Sequence, residues 1–158
     1  MESLAALSFG LALLLCLAWA FVSAVVPWVN AEVLVLSLPA MAESRAQLVL
    51  LILVATVGQM AGKCIVYWVG RRGAAAASGR ILRAMQHWRA RAAASPCSPV
   101  AFVAASSLVG IPPFYVMSAL AGALKMRLDS FLIAGTLGRL IRFTALVLLS
   151  KTVFHLLG

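Results

Sequence analysis

The sequence predicts an all-α integral membrane protein, with three full transmembrane helices plus two opposed re-entrant helical hairpins in an inverted-repeat arrangement. Three observations lead there. First, 64% of the 158 residues are hydrophobic and the mean hydropathy is +1.06, where about half is ordinary for a soluble domain. Second, only 11% of residues are charged, and their placement leaves three apolar stretches, 4–26, 47–69 and 130–154, long enough to cross ~30 Å of hydrocarbon. Third, two more apolar stretches, 27–41 and 98–124, are interrupted by proline. Irregular backbone of that kind persists at membrane depth only when buried in protein or lining a cavity. The length suits one membrane domain over 1–158 and no appended soluble domain.

In chain order, Leu4–Val26 is an uncharged span. A cleaved signal peptide competes, with Val22-Ser23-Ala24 as the cleavage site. No Lys or Arg precedes the apolar run, and the run is longer than a signal core, so a retained span is expected. Pro27 and Pro39 then enclose a piece of roughly 17 Å as helix, too short to cross. It is expected to enter the membrane, turn near Pro39 and return to the side it came from. In 47–69, Thr56, Gln59, Lys63 and Tyr67 recur at helical spacing as one polar stripe. Gly58 and Gly62 there form a GxxxG pair that admits a neighbouring helix. Residues 71–95 are basic. Ile81, Leu82, Met85 and Trp88 share one face against Arg80, Arg83, His87 and Arg91, which suits an interfacial helix or a solvated loop. Ser98-Pro99 reads as a helix start, and Pro112-Pro113 breaks the run that follows. A hairpin and a single kinked span both fit 98–124. The hairpin returns Lys125 and Arg127 to the side of the basic loop, as the positive-inside rule favours. Asp129 or Ser130 caps the last span.

The charge balance is lopsided: 13 Lys and Arg against 4 Asp and Glu, a net +9. Six of those arginines (71, 72, 80, 83, 89 and 91) fall in 71–95, which the positive-inside rule places in the cytoplasm. No aromatic platform or groove-reading helix accompanies them, so nucleic acid is not an expected partner. Cys16, Cys64 and Cys97 are far apart and match neither a disulfide framework nor a metal site. No metal and no cofactor is expected.

Three residues stand out for chemistry. Glu32 is the one acid embedded in an apolar segment, since Glu2, Glu43 and Asp129 lie at segment ends. An intramembrane acid is a functional candidate by default, and proton coupling is the role expected of it. With Asn30 as N-cap, a plain first-turn position also explains it. Arg139 and Arg142 sit three apart on one helical face, at roughly 2.5–3.5 kcal/mol each if unrelieved. Their guanidinium forks suit a phosphate, and one of them in an ion pair with Glu32 is the structural alternative. Asn30, Gln59, Lys63, Tyr67, Pro112, Pro113 and Gly138 are expected in support. Snorkelling towards water is the plainer account of Lys63.

Taken in order, Pro27-x-x-Asn30-x-Glu32, Gly58-xxx-Gly62 with Tyr67-xx-Gly70-Arg71, Pro112-Pro113-Phe114 with Ala121-Gly122, and Phe131 with Gly138-Arg139-xx-Arg142-Phe143 resemble the DedA/VTT superfamily (SNARE-associated Golgi protein domain). The small YqaA-like bacterial branch is the nearest likeness. The resemblance implies two re-entrant hairpins facing each other from opposite leaflets. It also implies translocation of lipids: undecaprenyl phosphate or phosphatidylethanolamine-type lipids with proton coupling in bacterial relatives, and scrambling in eukaryotic ones. The family's embedded acid carries over to Glu32. Its basic residues around the second re-entrant proline do not, because Val109, Gly110 and Phe114 stand there, and Arg139 and Arg142 are the substitutes on offer.

The function expected is therefore that of a lipid flippase or scramblase of the bacterial inner membrane, acting on an anionic or zwitterionic phosphate-bearing lipid. A homo-oligomer is left open. One embedded Glu does not supply the cluster that a membrane phosphatase or transferase needs, so no enzyme is expected. A proton- or ion-coupled antiporter of a small solute and a non-transporting scaffold are the alternatives.

Overall fold

A computed structural model of the chain describes residues 2–26, 28–76, 83, 99–111 and 113–157. Regular structure among them is entirely helical: α1 (Glu2–Val25), α2 (Ala31–Met41), α3 (Arg45–Ala76), α4 (Pro99–Val109), α5 (Phe114–Ala123) and α6 (Leu128–Leu157). Ser8–Val25, Arg45–Gly73 and Leu128–Ser150 are long and apolar enough to cross a membrane, and α2, α4 and α5 are shorter apolar helices. Side chains are distributed as lipid demands. Leu14, Leu15, Val57, Val69, Ile133, Leu148 and Leu149 point outward, while Ser23, Thr56, Gln59, Lys63, Ser106, Ser107, Ser118 and Ser150 are buried. This is a multi-pass membrane protein.

The helices overrun two expected boundaries. α3 does not end at residue 69 but continues to Ala76. Arg71 uses the helical register, donating to the Tyr67 hydroxyl one turn back and lying over the Trp68 ring, and three alanines of high helix propensity follow. α6 begins at Leu128, so Asp129 lies within the first turn instead of preceding it. There it accepts from the Ser130 N–H at 2.8 Å. The interfacial helix and loop expected over the rest of 71–95 lie outside the described residues apart from residue 83, as does Pro112.

The chain forms two compact units. The first comprises the residues up to Gly62 together with those from Leu140 onward, and the second is Lys63–Arg139. In the first, Cys16 and Ala20 of α1, Val35 and Leu38 of α2, Leu48, Leu51, Ile52 and Ala55 of α3, and Phe143 and Val147 of α6 make one buried core. The Cys16 thiol donates to the Leu51 carbonyl, and the Gln59 amide donates to the Ser23 hydroxyl at 2.6 Å. A Cβ on Gly58 would sit 2.7 Å from the Leu17 carbonyl oxygen, and one on Gly62 would sit 2.8 Å from that of Phe21. The GxxxG pair is thus the seam along which α1 and α3 touch.

Those pairings advance together along both helices, so α1 and α3 run parallel. The chain must return between them, and α2 makes the return. It packs on α1 and ends where Met41, Glu43 and Gln47 line a cleft with Ser8, Phe9 and Ala12. The turn expected near Pro39 is absent, since α2 continues through Pro39 to Met41 at the loss of one N–H donor near its end. The reversal lies instead between Val25 and Ala31, where Asn30 caps α2.

In the second unit, α4 and α5 pack on one another across a break that begins at Gly110, whose φ is 86°. α5 closes in a Schellman motif, with Lys125 N–H donating to Gly122 O and Met126 N–H to Ala121 O. The left-handed position is Lys125, at φ 54°, where a side chain costs about 1–2 kcal/mol.

The parallel arrangement has a labelling signature. With the three native cysteines replaced by alanine, an N-terminal epitope and Glu43→Cys should be reached by impermeant reagents from one face of the membrane, and Trp28→Cys, 91% exposed, from the other. Labelling of residues 28 and 43 from the same face contradicts it.

Candidate functional site

In the first unit the site is built on the start of α2. Asn30 holds an extended conformation, and its side-chain oxygen accepts the Glu32 N–H at 2.8 Å. That cap starts the helix and places Glu32 in its first turn, where the helix dipole favours a carboxylate. Arg142, from α6, donates through its terminal nitrogen to Glu32 Oε1. The guanidinium side is the deeper, 19% exposed against 40% for the carboxylate side chain. Such a pair is part-shielded on its cationic half and open on its anionic half. Removing the acid would leave a largely enclosed guanidinium without its countercharge, which is costly.

The polar stripe of α3 faces inward, with Thr56, Gln59, Lys63 and Tyr67 all buried. Thr56 turns its hydroxyl back to the Ile52 carbonyl, and Gln59 reaches Ser23. In the second unit, Lys63 is 4% exposed, so the snorkelling expected of it does not occur. Its ammonium instead lies 5.1 Å over the Tyr115 ring. Arg139 lies in the same way 4.8 Å over Phe114. Cation–π contacts of this kind are worth about 2 kcal/mol when desolvated.

Phe114 begins a column of rings. It stacks on Phe131 with centroids 6.1 Å apart, and Phe131 stacks on Tyr67 at 5.1 Å. The Tyr67 hydroxyl donates to the Met126 carbonyl and accepts from Arg71 at 2.9 Å. Gly138 lets α4 approach, because a Cβ there would run into the Ser107 hydroxyl. Pro113 stands immediately ahead of α5.

Of the residues singled out from the sequence, Asn30, Glu32 and Arg142 come together in one unit. Lys63, Tyr67, Pro113, Gly138 and Arg139 belong to the other. Phe114 and Tyr115 were not anticipated as platforms for cations. The signal available was the aromatic pair directly after the Pro-Pro break, set against two cations in otherwise apolar helices. Among the described residues no group of three His, Cys, Asp or Glu could hold a metal ion.

Tyr67→Phe keeps the ring column and deletes both hydroxyl hydrogen bonds. It should lower stability by about 1–2 kcal/mol, read as an earlier unfolding midpoint in detergent. An unchanged midpoint would show that the hydroxyl contributes nothing.

No curated protein and no solved structure matches the chain. The family model of the VTT domain matches residues 26–152. That range takes in α2 to α5, most of α6, the Asn30–Glu32 cap, the Pro113 break, Arg139 and Arg142. With so much of its length and all of its candidate site inside the match, the chain belongs to the VTT domain family, the DedA/VTT family of membrane-associated proteins.

Proposed function

We propose that this protein moves a phosphate-bearing lipid across the bilayer, and that Arg142 and Glu32 form an exchangeable pair at the heart of the process. The observation that carries the proposal is the ion pair itself, with its part-buried guanidinium and its more open carboxylate. A proton taken up by Glu32 removes the charge that holds Arg142. The guanidinium then offers its fork of donors to a phosphate, which it can bind through two oxygens. Loss of the proton restores the carboxylate, which competes for the same donors and expels the phosphate, while the lipid's chains stay in hydrocarbon. No bond is made or broken, so the reading is of a transporter and not an enzyme. Arg139, held over Phe114 in the second unit, is assigned no exchange step.

The re-entrant reading belongs to the same proposal. A helix, a break, a second helix packed on the first, and then a long apolar helix occur twice in the chain: α1 to α3 and α4 to α6. We take the α4–α5 pair, two short apolar helices, as a re-entrant hairpin, whereas α1 crosses the bilayer and α2 carries the chain back. We place the protein in a bacterial inner membrane, with the basic 71–95 segment cytoplasmic under the positive-inside rule.

The test is reconstitution into vesicles carrying a fluorescent phospholipid or polyprenyl phosphate, with dithionite quenching as the readout. The intact protein should speed loss of inner-leaflet fluorescence, and Glu32→Gln and Arg142→Gln should each slow it about tenfold or more while remaining folded. Proton flux without lipid movement, reported by an internal pH dye, would point to an antiporter. Folded protein that moves neither would leave a scaffold.

A further inference from the structure

One end of the second unit gathers four cations around a single turn. The apolar span of α3 ends at Gly73 and that of α6 begins at Leu128, so Arg71, Arg72, Lys125 and Arg127 lie at the edge of the hydrocarbon. The Tyr67 hydroxyl draws the two edges together, accepting from Arg71 at 2.9 Å and donating to the Met126 carbonyl. Gly122 closes the gap further, because a Cβ there would run into the Tyr67 carbonyl and come within 3.0 Å of the Arg71 nitrogen. The Arg71 guanidinium lies 5.5 Å over Trp68, a residue 45% exposed at the level where interfacial aromatics sit. Arg72, Lys125 and Arg127 are exposed. The acid within this cluster is Asp129, which Arg127 grips through both carboxylate oxygens at 3.3 and 2.7 Å. Arg71, Arg72 and Lys125 are thus left as surplus positive charge.

The backbone supplies an independent observation. The left-handed position of the Schellman motif ordinarily takes glycine, yet it carries Lys125, at φ 54°. Glycine would serve the fold better there, so a charged side chain is kept against a local conformational preference. Strain of this sort points to use.

We propose that Arg71, Arg72 and Lys125 form a binding site for the phosphate of an anionic membrane lipid, with Trp68 beside it at the boundary between headgroup and acyl chain. Cations at this depth attract anionic headgroups, each strengthening binding about fivefold, and the attraction weakens as salt screens it. The site uses neither Glu32 nor Arg142 and does not depend on the transport reading.

Lys125→Gly separates this role from a merely structural one, since it removes the charge and relieves the strain together. The full-length protein in detergent would be titrated with phosphatidylglycerol, phosphatidylcholine and inorganic phosphate, and bound lipid counted by native mass spectrometry. The intact protein should favour phosphatidylglycerol over phosphatidylcholine and lose the preference as salt is raised. Lys125→Gly should melt a few degrees higher and bind phosphatidylglycerol about fivefold more weakly. Arg72→Gln should weaken binding by a similar factor without the gain in melting temperature. Equal binding of the two lipids, unaltered affinity in both variants, or displacement of the lipid by an equal concentration of inorganic phosphate would each overturn the assignment.

Discussion

A positive charge inside hydrocarbon must be met by something, because water is not there to solvate it. This chain answers that requirement in two chemically different ways. Arg142 is met by a carboxylate, which neutralises it fully but can itself be neutralised by a proton or outcompeted by another anion. Lys63 and Arg139 lie over aromatic rings, which lower the cost of the charge without cancelling it. That contrast makes the Glu32–Arg142 pair the better candidate for a moving part, and the rings beneath the other two cations the better candidate for a fixed frame.

The rest of the packing serves these charges. Asn30 starts α2 where the acid has to stand. The small residues of the α1–α3 seam bring two backbones together and leave the polar stripe of α3 facing protein. In the second unit the Tyr67 hydroxyl ties the end of α3 to the turn before α6, and its ring ends the column that begins under Arg139. Serines within α4, α5 and α6 turn their hydroxyls back to carbonyls three or four residues behind, so that buried polar atoms are satisfied within their own helices.

Much of this was legible in the sequence. Apolar length alone located three spanning helices, because hydrocarbon thickness sets a minimum that few other segments meet. The order of the Asn30–Glu32, Gly58–Gly62, Pro112–Pro113 and Arg139–Arg142 motifs was enough to identify the family. Residue spacing on α3 disclosed the buried stripe. What stayed hidden was direction and partnership. Pro39 looked like a turn because proline usually ends a helix, yet one missing donor near the end of α2 is tolerated, and the reversal falls at Asn30. Lys63 looked like a snorkelling side chain because its distance from the helix end allows it. Only packing shows that it meets Tyr115. Arg71 looked like the first residue of a loop because it is charged, whereas its contacts one turn back keep it in the helix.

The parallel course of α1 and α3 bears on how the chain enters the membrane at all. α1 carries no Lys or Arg of its own. The strong topogenic signal, Arg71 with Arg72, arrives only once α3 is nearly complete. Because the two helices share one direction, the orientation of the earlier is settled by the later. The insertion of α1 and α2 is therefore coupled to that of α3, because one shared direction has to serve both long helices.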